Sequence, residues 1–168
     1  MAQVDFFLKL DGIPGESADD KHKGEIHILS WTCKAQNSGG FGTATGGGSG
    51  KVRFDDWFFT KPLDKASPKL FQHCASGEHV KSGILTCRKA GKDAVEYLKV
   101  TFDNVLVSSY EAHAGEHEAE GGGVVPTDRF SLNFGHVKVE YKEQKPDGTA
   151  GGSTVGEWNV AKNSASAA

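Results

Sequence analysis

Val95-Glu-Tyr-Leu-Lys-Val-Thr-Phe-Asp-Asn-Val-Leu-Val-Ser-Ser109 alternates apolar and polar residues, then changes phase partway. Leu98, Val100 and Phe102 share one parity, whereas Val105 and Val107 take the other. A one-residue shift turns strand side chains to the opposite face, so a phase change inside a strand requires a bulge or a sharp bend. Residues 129–142 repeat the pattern: Phe130, Leu132 and Phe134 give way to Val137, Val139 and Tyr141 across Gly135-His136. Two long strands bent at mid-length are the means by which one sheet curls into a barrel.

The period of two extends outward from this pair. Val4, Phe6, Leu8 and Leu10 alternate with Asp5 and Lys9, and further strands fit residues 25–35, 51–60, 84–89 and 155–160. One helix is signalled. Ser67 is placed to cap it, Pro68 suits the first helical position and Gly77 suits the stop. Leu70, Phe71, Cys74 and Ala75 make its apolar stripe. The expected fold is therefore mostly β: a β-barrel of bent antiparallel strands with one short α-helix covering an open end or edge. Residues 1–160 form a single domain, and the small, polar residues 161–168 form a flexible C-terminal tail.

Composition narrows the function. At 168 residues the chain is long enough for one core without disulfide or metal staples. A formal charge of −3 argues against a general nucleic-acid or membrane-surface binder. No apolar run approaches the ~20 residues that span a bilayer. The N-terminus has no basic region followed by a long apolar stretch, so it reads as a first strand and not as a cleavable signal peptide. Cys33, Cys74 and Cys87 are odd in number and outside any C-x-x-C pattern, as suits folding in a reducing cytoplasm.

Four stretches invite chemistry. His113-Ala-Gly-Glu116-His117 matches the inverted-zincin pattern H-x-x-E-H, which needs both histidines on one helix face; a strand before it and Gly121-Gly-Gly123 after it oppose that. Gly46-Gly-Gly-Ser-Gly50-Lys51 has Thr45 where a phosphate loop needs glycine and Val52 where it needs Ser or Thr, and a strand follows instead of a helix. His73, Glu78 and His79 beside Cys74 read as residues of a helix C-terminus, not as a nucleophile with an oriented base. Trp57-Phe-Phe59 suggests rings stacking on sugar, the basis of an alternative reading as a secreted monomeric β-sandwich carbohydrate-binding module. Consecutive aromatics in a strand are by default core, and an apolar outer face suggests a subunit interface. No catalytic residue, metal ligand or cofactor site is assigned.

A series of residues, in order along nearly the whole chain, carries a resemblance. It includes Gly15-Glu16-Ser17, Glu25-Ile26 with Leu29 and Trp31, Gly50-Lys51-Val52, Phe59-Thr60-Lys61, Asp64-Lys65 and Ser67-Pro68. Arg88-Lys89-Ala90-Gly91, Val95-Glu96-Tyr97-Leu98, Leu106-Val107-Ser108-Ser109, Leu132-Asn133-Phe134 and Trp158 continue it. The chain resembles the haemolysin-coregulated protein (Hcp) family, the inner-tube subunit of bacterial type VI secretion. The acidic, histidine-bearing stretch 112–120 departs from the family pattern. The resemblance implies a non-catalytic structural protein whose hexameric rings stack into a tube, expelled by sheath contraction with effectors in its lumen. Its implied partners are further copies of itself, the spike-tip protein, the sheath and effectors. It implies export from the cytoplasm to the medium or a target cell.

Two sets of residues are expected to serve that assembly. The glycine-rich loop 37–50, with Asn37, Ser38, Gly39, Gly40, Phe41, Gly42, Gly46, Gly47 and Gly48, projects from one rim and stacks rings, its glycines admitting close backbone approach. Ser30, Thr32 and Lys34 face the lumen, opposite Leu29, Trp31 and Cys33.

Overall fold

A computed structural model describes residues 4–39, 49–89, 94–114, 126–145 and 148–166. In chain order the elements are β1 (Val4–Leu10), β2 (Ile26–Ile28), β3 (Ser30–Thr32), β4 (Ala35–Gly39), β5 (Ser49–Phe54), β6 (Trp57–Pro62), α1 (Ser67–Ser76), β7 (Val80–Lys89), β8 (Glu96–His113), β9 (Thr127–Gln144) and β10 (Ala150–Asn159). The main sheet runs β2-β1-β7-β8-β9-β6-β3, every pairing antiparallel, with β10 added to the second half of β9. The fold is mostly β with one helix, as expected. Among the described residues its hydrogen-bond ladder does not close on itself. Instead the two end strands, β2 and β3, are consecutive in the chain and separated only by Leu29. The N–H of Leu29 donates to Thr60 O at 2.8 Å, so one covalent step carries the chain from one end of the sheet to the other.

That step corrects the expected strand 25–35, which is broken in two. Ile26 and Ile28 are buried, and on the far side of Leu29 the inward residue is Trp31. Leu29 is 43% exposed and Cys33 is exposed, so of the three residues expected on the inner face only Trp31 takes it. The expected strand 51–60 is also two elements, divided at Asp55-Asp56. Among the described residues its first part, β5, pairs only with β4 in a separate two-stranded ribbon. Asn37, Ser38 and Gly39 thus belong to a strand, not to a loop.

Both long strands turn at one place. Asn104 adopts a left-handed backbone, φ 52, opposite Gly135. The register is the same on either side, Asp103 opposite His136 and Val105 opposite Phe134. The phase change is therefore a bend without a slip: the left-handed residue reverses the pleat, and asparagine is one of the few side chains that tolerates it. A Cβ on Gly135 would lie 3.3 Å from Cβ and Nδ2 of Asn104, so a side chain there would crowd the turn. A separate register shift falls at Val107/Ser109. Because of the bend, Val100, Phe102, Val105 and Val107 all enter one core, with Phe130, Leu132, Phe134 and Val137 from β9. Trp57 meets Phe102 edge-on at 5.1 Å and stacks on Trp31 at 5.3 Å, while Phe59 stacks on Phe130 at 5.2 Å.

β7 pairs with β8 only as far as Val105, and α1 packs against β8. Gly77 ends the helix in the left-handed conformation, φ 69, its N–H donating to His73 O. The expected start is displaced: Ala66 is the cap residue and Ser67 is the first helical residue. The Ser67 hydroxyl is turned inward, accepting from Lys61 Nζ at 2.9 Å and from the Asp64 N–H at 3.1 Å. Of the expected helical stripe, Leu70 is buried and Cys74 half-buried, while Phe71 is 60% exposed and meets Tyr110 edge-on.

Residues 11–25 lie against β1. Phe7 points away from the barrel core and is covered there by His22, stacked at 4.4 Å, and by the Arg88 guanidinium 4.9 Å from the ring centroid. Arg88 donates to Asp5 at 3.1 Å and to both oxygens of Asp19 at 2.6 and 3.0 Å. The hydrogen bonds from Arg88 hold the Asp19 carboxyl down at about 2. A carboxyl depressed in the folded state contributes stability above its unfolded pKa of about 4, and that stability is lost as pH falls towards 2. Thermal midpoints measured between pH 5 and pH 2 should therefore fall less for Asp19→Asn than for the parent; equal falls would remove the clamp from the account.

Candidate functional site

The face of β3, β6, β9 and β8 that looks away from the core is rich in hydroxyls. Strand alternation puts Trp31, Trp57, Phe59, Phe130, Leu132 and Val107 inside. Ser30 and Thr32 of β3, Phe58 and Thr60 of β6, and Ser131 and Asn133 of β9 are left on the other side. Register aligns them into rows. Ser30 stands opposite Thr60, and Thr32 opposite Phe58, which in turn stands opposite Ser131.

Next to this, the register shift of β8 delivers two consecutive hydroxyls to one side. Ser108 Oγ and Ser109 Oγ both bond Ser131 Oγ, the first at 2.7 Å. Asp56 accepts from Ser108 through Oδ2 and from Asn133 Nδ2 through Oδ1, the latter at 2.7 Å. The break between β5 and β6 places that carboxylate. The surface is polar and internally hydrogen-bonded, and Phe58, 49% exposed, is its aromatic member.

Of the residues expected to face a lumen, Ser30 and Thr32 lie exposed on this face. Lys34 lies beyond the end of β3, at the base of the β4–β5 ribbon, where its Nζ is 3.9 Å from Asp55 Oδ2. Sequence reading missed Thr60, Ser108, Ser109, Ser131, Asn133 and Asp56. Their signal was the polar parity of strands whose apolar parity had been read. In the expected ring-stacking loop, Asn37, Ser38 and Gly39 form β4, while Gly40, Phe41, Gly42, Gly46, Gly47 and Gly48 lie outside the described residues.

The stretches considered for chemistry do not assemble the sites that their patterns call for. His113 ends a strand, its Nε2 2.7 Å from Glu111 Oε1, where the zincin pattern needs a helix; Glu116 and His117 lie outside the described residues. Gly50 and Lys51 are in strand β5. His73 Nδ1 donates to Glu78 O and His79 Nδ1 faces Asn104 Oδ1, so neither is turned to Cys74 as an oriented base. Burial pushes the Cys87 thiol up to about 11, far from a nucleophilic thiolate at neutral pH. Trp57 is buried at 6% exposure and Phe59 at 1%, so the aromatic run offers only Phe58 to a sugar ring. No helix among the described residues is long and apolar enough to cross a membrane.

The structure is thus a rolled antiparallel sheet with a polar, hydrogen-bonded face on the side away from its core. Residues 7–141 match the family model described as "Type VI secretion system effector, Hcp". The chain is 41% identical over 162 residues to Protein hcp1 of Pseudomonas aeruginosa, covering 95% of this chain and 97% of that one. Among solved structures it is similar to Hcp1 from Salmonella typhimurium, with 38% identity, TM-score 0.77 and coverage of 97% and 98%. It is also similar to a structure described as a type six secretion system protein, with 30% identity, TM-score 0.86 and coverage of 96% and 99%. The chain belongs to the Hcp family of type VI secretion proteins.

Proposed function

We propose that the chain is the structural subunit of a type VI inner tube. Hexameric rings stack into a tube that is expelled by sheath contraction and carries effectors in its lumen. The observation that carries this reading is the polar face that runs from Ser30 and Thr32 past Phe58 to Ser108 and Ser109, which both bond the buried Ser131 hydroxyl. Turned to a lumen, it gives a wall that water wets and that an unfolded apolar segment does not coat. Hydroxyls both donate and accept, so such a wall answers either kind of polar group on a cargo. The protein acts without a cofactor or catalytic residue, and sheath, spike-tip protein and effectors are its partners. A head-to-tail contact repeated around an axis closes a ring when its rotation closes. The β4–β5 ribbon then provides the contact between rings. It is a separate two-stranded unit, and it joins the barrel at the Lys34–Asp55 base.

Light scattering on the purified protein should report a closed oligomer; a monodisperse 17.9 kDa species at micromolar concentration would sink the reading. Shortening residues 37–50 to a tight hairpin should leave far-UV circular dichroism and ring mass unchanged, since the β4–β5 ribbon is a sheet apart from the main one. Secretion into the medium should be lost. Unfolding of the shortened protein, or secretion at the parent level, would remove the stacking role from the ribbon.

A further inference from the structure

Asp56 is fastened to the polar face by neutral groups alone. Ser108 Oγ donates to its Oδ2 and Asn133 Nδ2 to its Oδ1, the latter at 2.7 Å. Among the described residues no cation pairs with it. By contrast, Asp5, Asp19, Asp55, Asp64, Asp103 and Asp128 each lie beside a lysine, arginine or histidine nitrogen. An ionised carboxylate offers about four acceptor positions, so two neutral donors leave about two of them open. The bonds to Ser108 and Asn133 put Asp56 on the same face as Phe58, which follows it by two residues, roughly 7 Å along the strand. Phe58 is 49% exposed. The next charges on this face, Glu111 and Arg129, stand opposite each other in the β8–β9 ladder. Arg129 is four residues from Asn133, roughly 13 Å away, beyond the ~8 Å over which salt screens exposed charges. The polar face therefore holds an oriented, unneutralised carboxylate next to an open aromatic ring.

We propose that Asp56 and Phe58 together receive an arginine side chain of a cargo protein. A guanidinium is planar. Its face lies on the Phe58 ring while its edge gives two N–H donors to the open positions of Asp56. A lysine ammonium brings a point charge without that flat face, so arginine is the better fit. Asp56 is held at both oxygens before cargo arrives, so little side-chain freedom is lost on binding. Thr32, opposite Phe58, supplies a neutral hydroxyl beside the pair. The site meets cargo only if this face lines a lumen, so the assignment rests on the tube reading. In a ring every subunit repeats the pair, and a segment with several arginines engages several subunits at once.

The test uses the full chain and a fluorescein-labelled peptide of alternating glycine and arginine. The same peptide with citrulline in place of arginine keeps the shape and lacks the charge. Anisotropy in low salt should show the arginine peptide binding, more weakly as salt rises. Citrulline in the peptide, or Asp56→Asn in the protein, should weaken binding about tenfold. Phe58→Ser should weaken it roughly two- to fivefold. Asp20→Asn removes the same charge from an exposed site in the segment against β1 and should leave the affinity unchanged. A lysine peptide should bind several-fold more weakly, and equal binding overturns the choice of arginine. No binding by the arginine peptide, equal binding by the citrulline peptide, or an equal loss with Asp20→Asn overturns the site. Light scattering on the same samples separates the two readings. A closed oligomer that fails to bind leaves the tube standing without the site, and a monomer that binds through Asp56 overturns the tube and leaves the arginine site standing.

Discussion

Replacing Lys61 with methionine should destabilise the protein by about 3–5 kcal/mol, the usual cost of leaving half of a buried ion pair behind. Lys61 and Asp128 stand opposite each other in the β6–β9 ladder, and both are fully buried. The ammonium donates its three hydrogens to Pro62 O at 2.9 Å, Asp64 Oδ1 at 2.7 Å and Ser67 Oγ at 2.9 Å, and it sits 3.1 Å from Asp128 Oδ1. Tyr110 OH donates to the other Asp128 oxygen at 3.1 Å. Without the cation, the tyrosine alone answers a carboxylate that water cannot reach, and the start of α1 loses its tie to the sheet. Chemical denaturation should show a large fall in midpoint. Lys61→Met combined with Asp128→Leu should recover much of the loss, because two apolar groups leave no charge stranded. A single variant within 1 kcal/mol of the parent would mean that the pair is not sealed from solvent.

Gly15→Ala is the second large effect expected. A Cβ at this position would lie 2.3 Å from Glu25 O and 2.5 Å from the Ile26 Cα, contacts with main chain that no rotamer change relieves. The two segments are laced together there: Gly15 N–H donates to Gly24 O, Gly24 N–H to Ser17 O, and Ser17 N–H to Glu25 O. Separating them moves the entry to β2, the strand at one end of the sheet. Overpacking of this kind costs about 3 kcal/mol. Faster amide exchange at Ile26 and Ile28 should accompany the loss, and a stability change below 0.5 kcal/mol would disprove the close approach.

The bent pair β8–β9 was legible because apolar side chains report directly on burial, and two changes of parity named the place of the turn. How the turn is made was not legible: a left-handed Asn104 and a bulge both shift parity, and only coordinates separate a bend from a slip. Short strands were read worst. The step at Leu29 and the break at Asp55-Asp56 involve too few residues for a period to register a change. The helix stop at Gly77 was readable from local chemistry, since a left-handed cap favours glycine. The helix start was not, because the Ser67 hydroxyl is claimed by Lys61 of a preceding strand. The hydroxyl-rich face shows the same limit. Ser30 and Thr32 could be read from one strand, but Asp56, Ser108, Ser131 and Asn133 become one surface only through register between strands distant in sequence.

The bend at Asn104 and Gly135 also has a mechanical meaning. One pair of strands runs through it without a slip, so the part of the sheet joined to β7 and β10 and the part joined to β6 are two reaches of the same ribbon. A push along these strands meets hydrogen bonds lying across the direction of load. The bonds share it in shear along the ladder instead of opening one after another from an end. Stiffness along the strands therefore comes from keeping step around a corner.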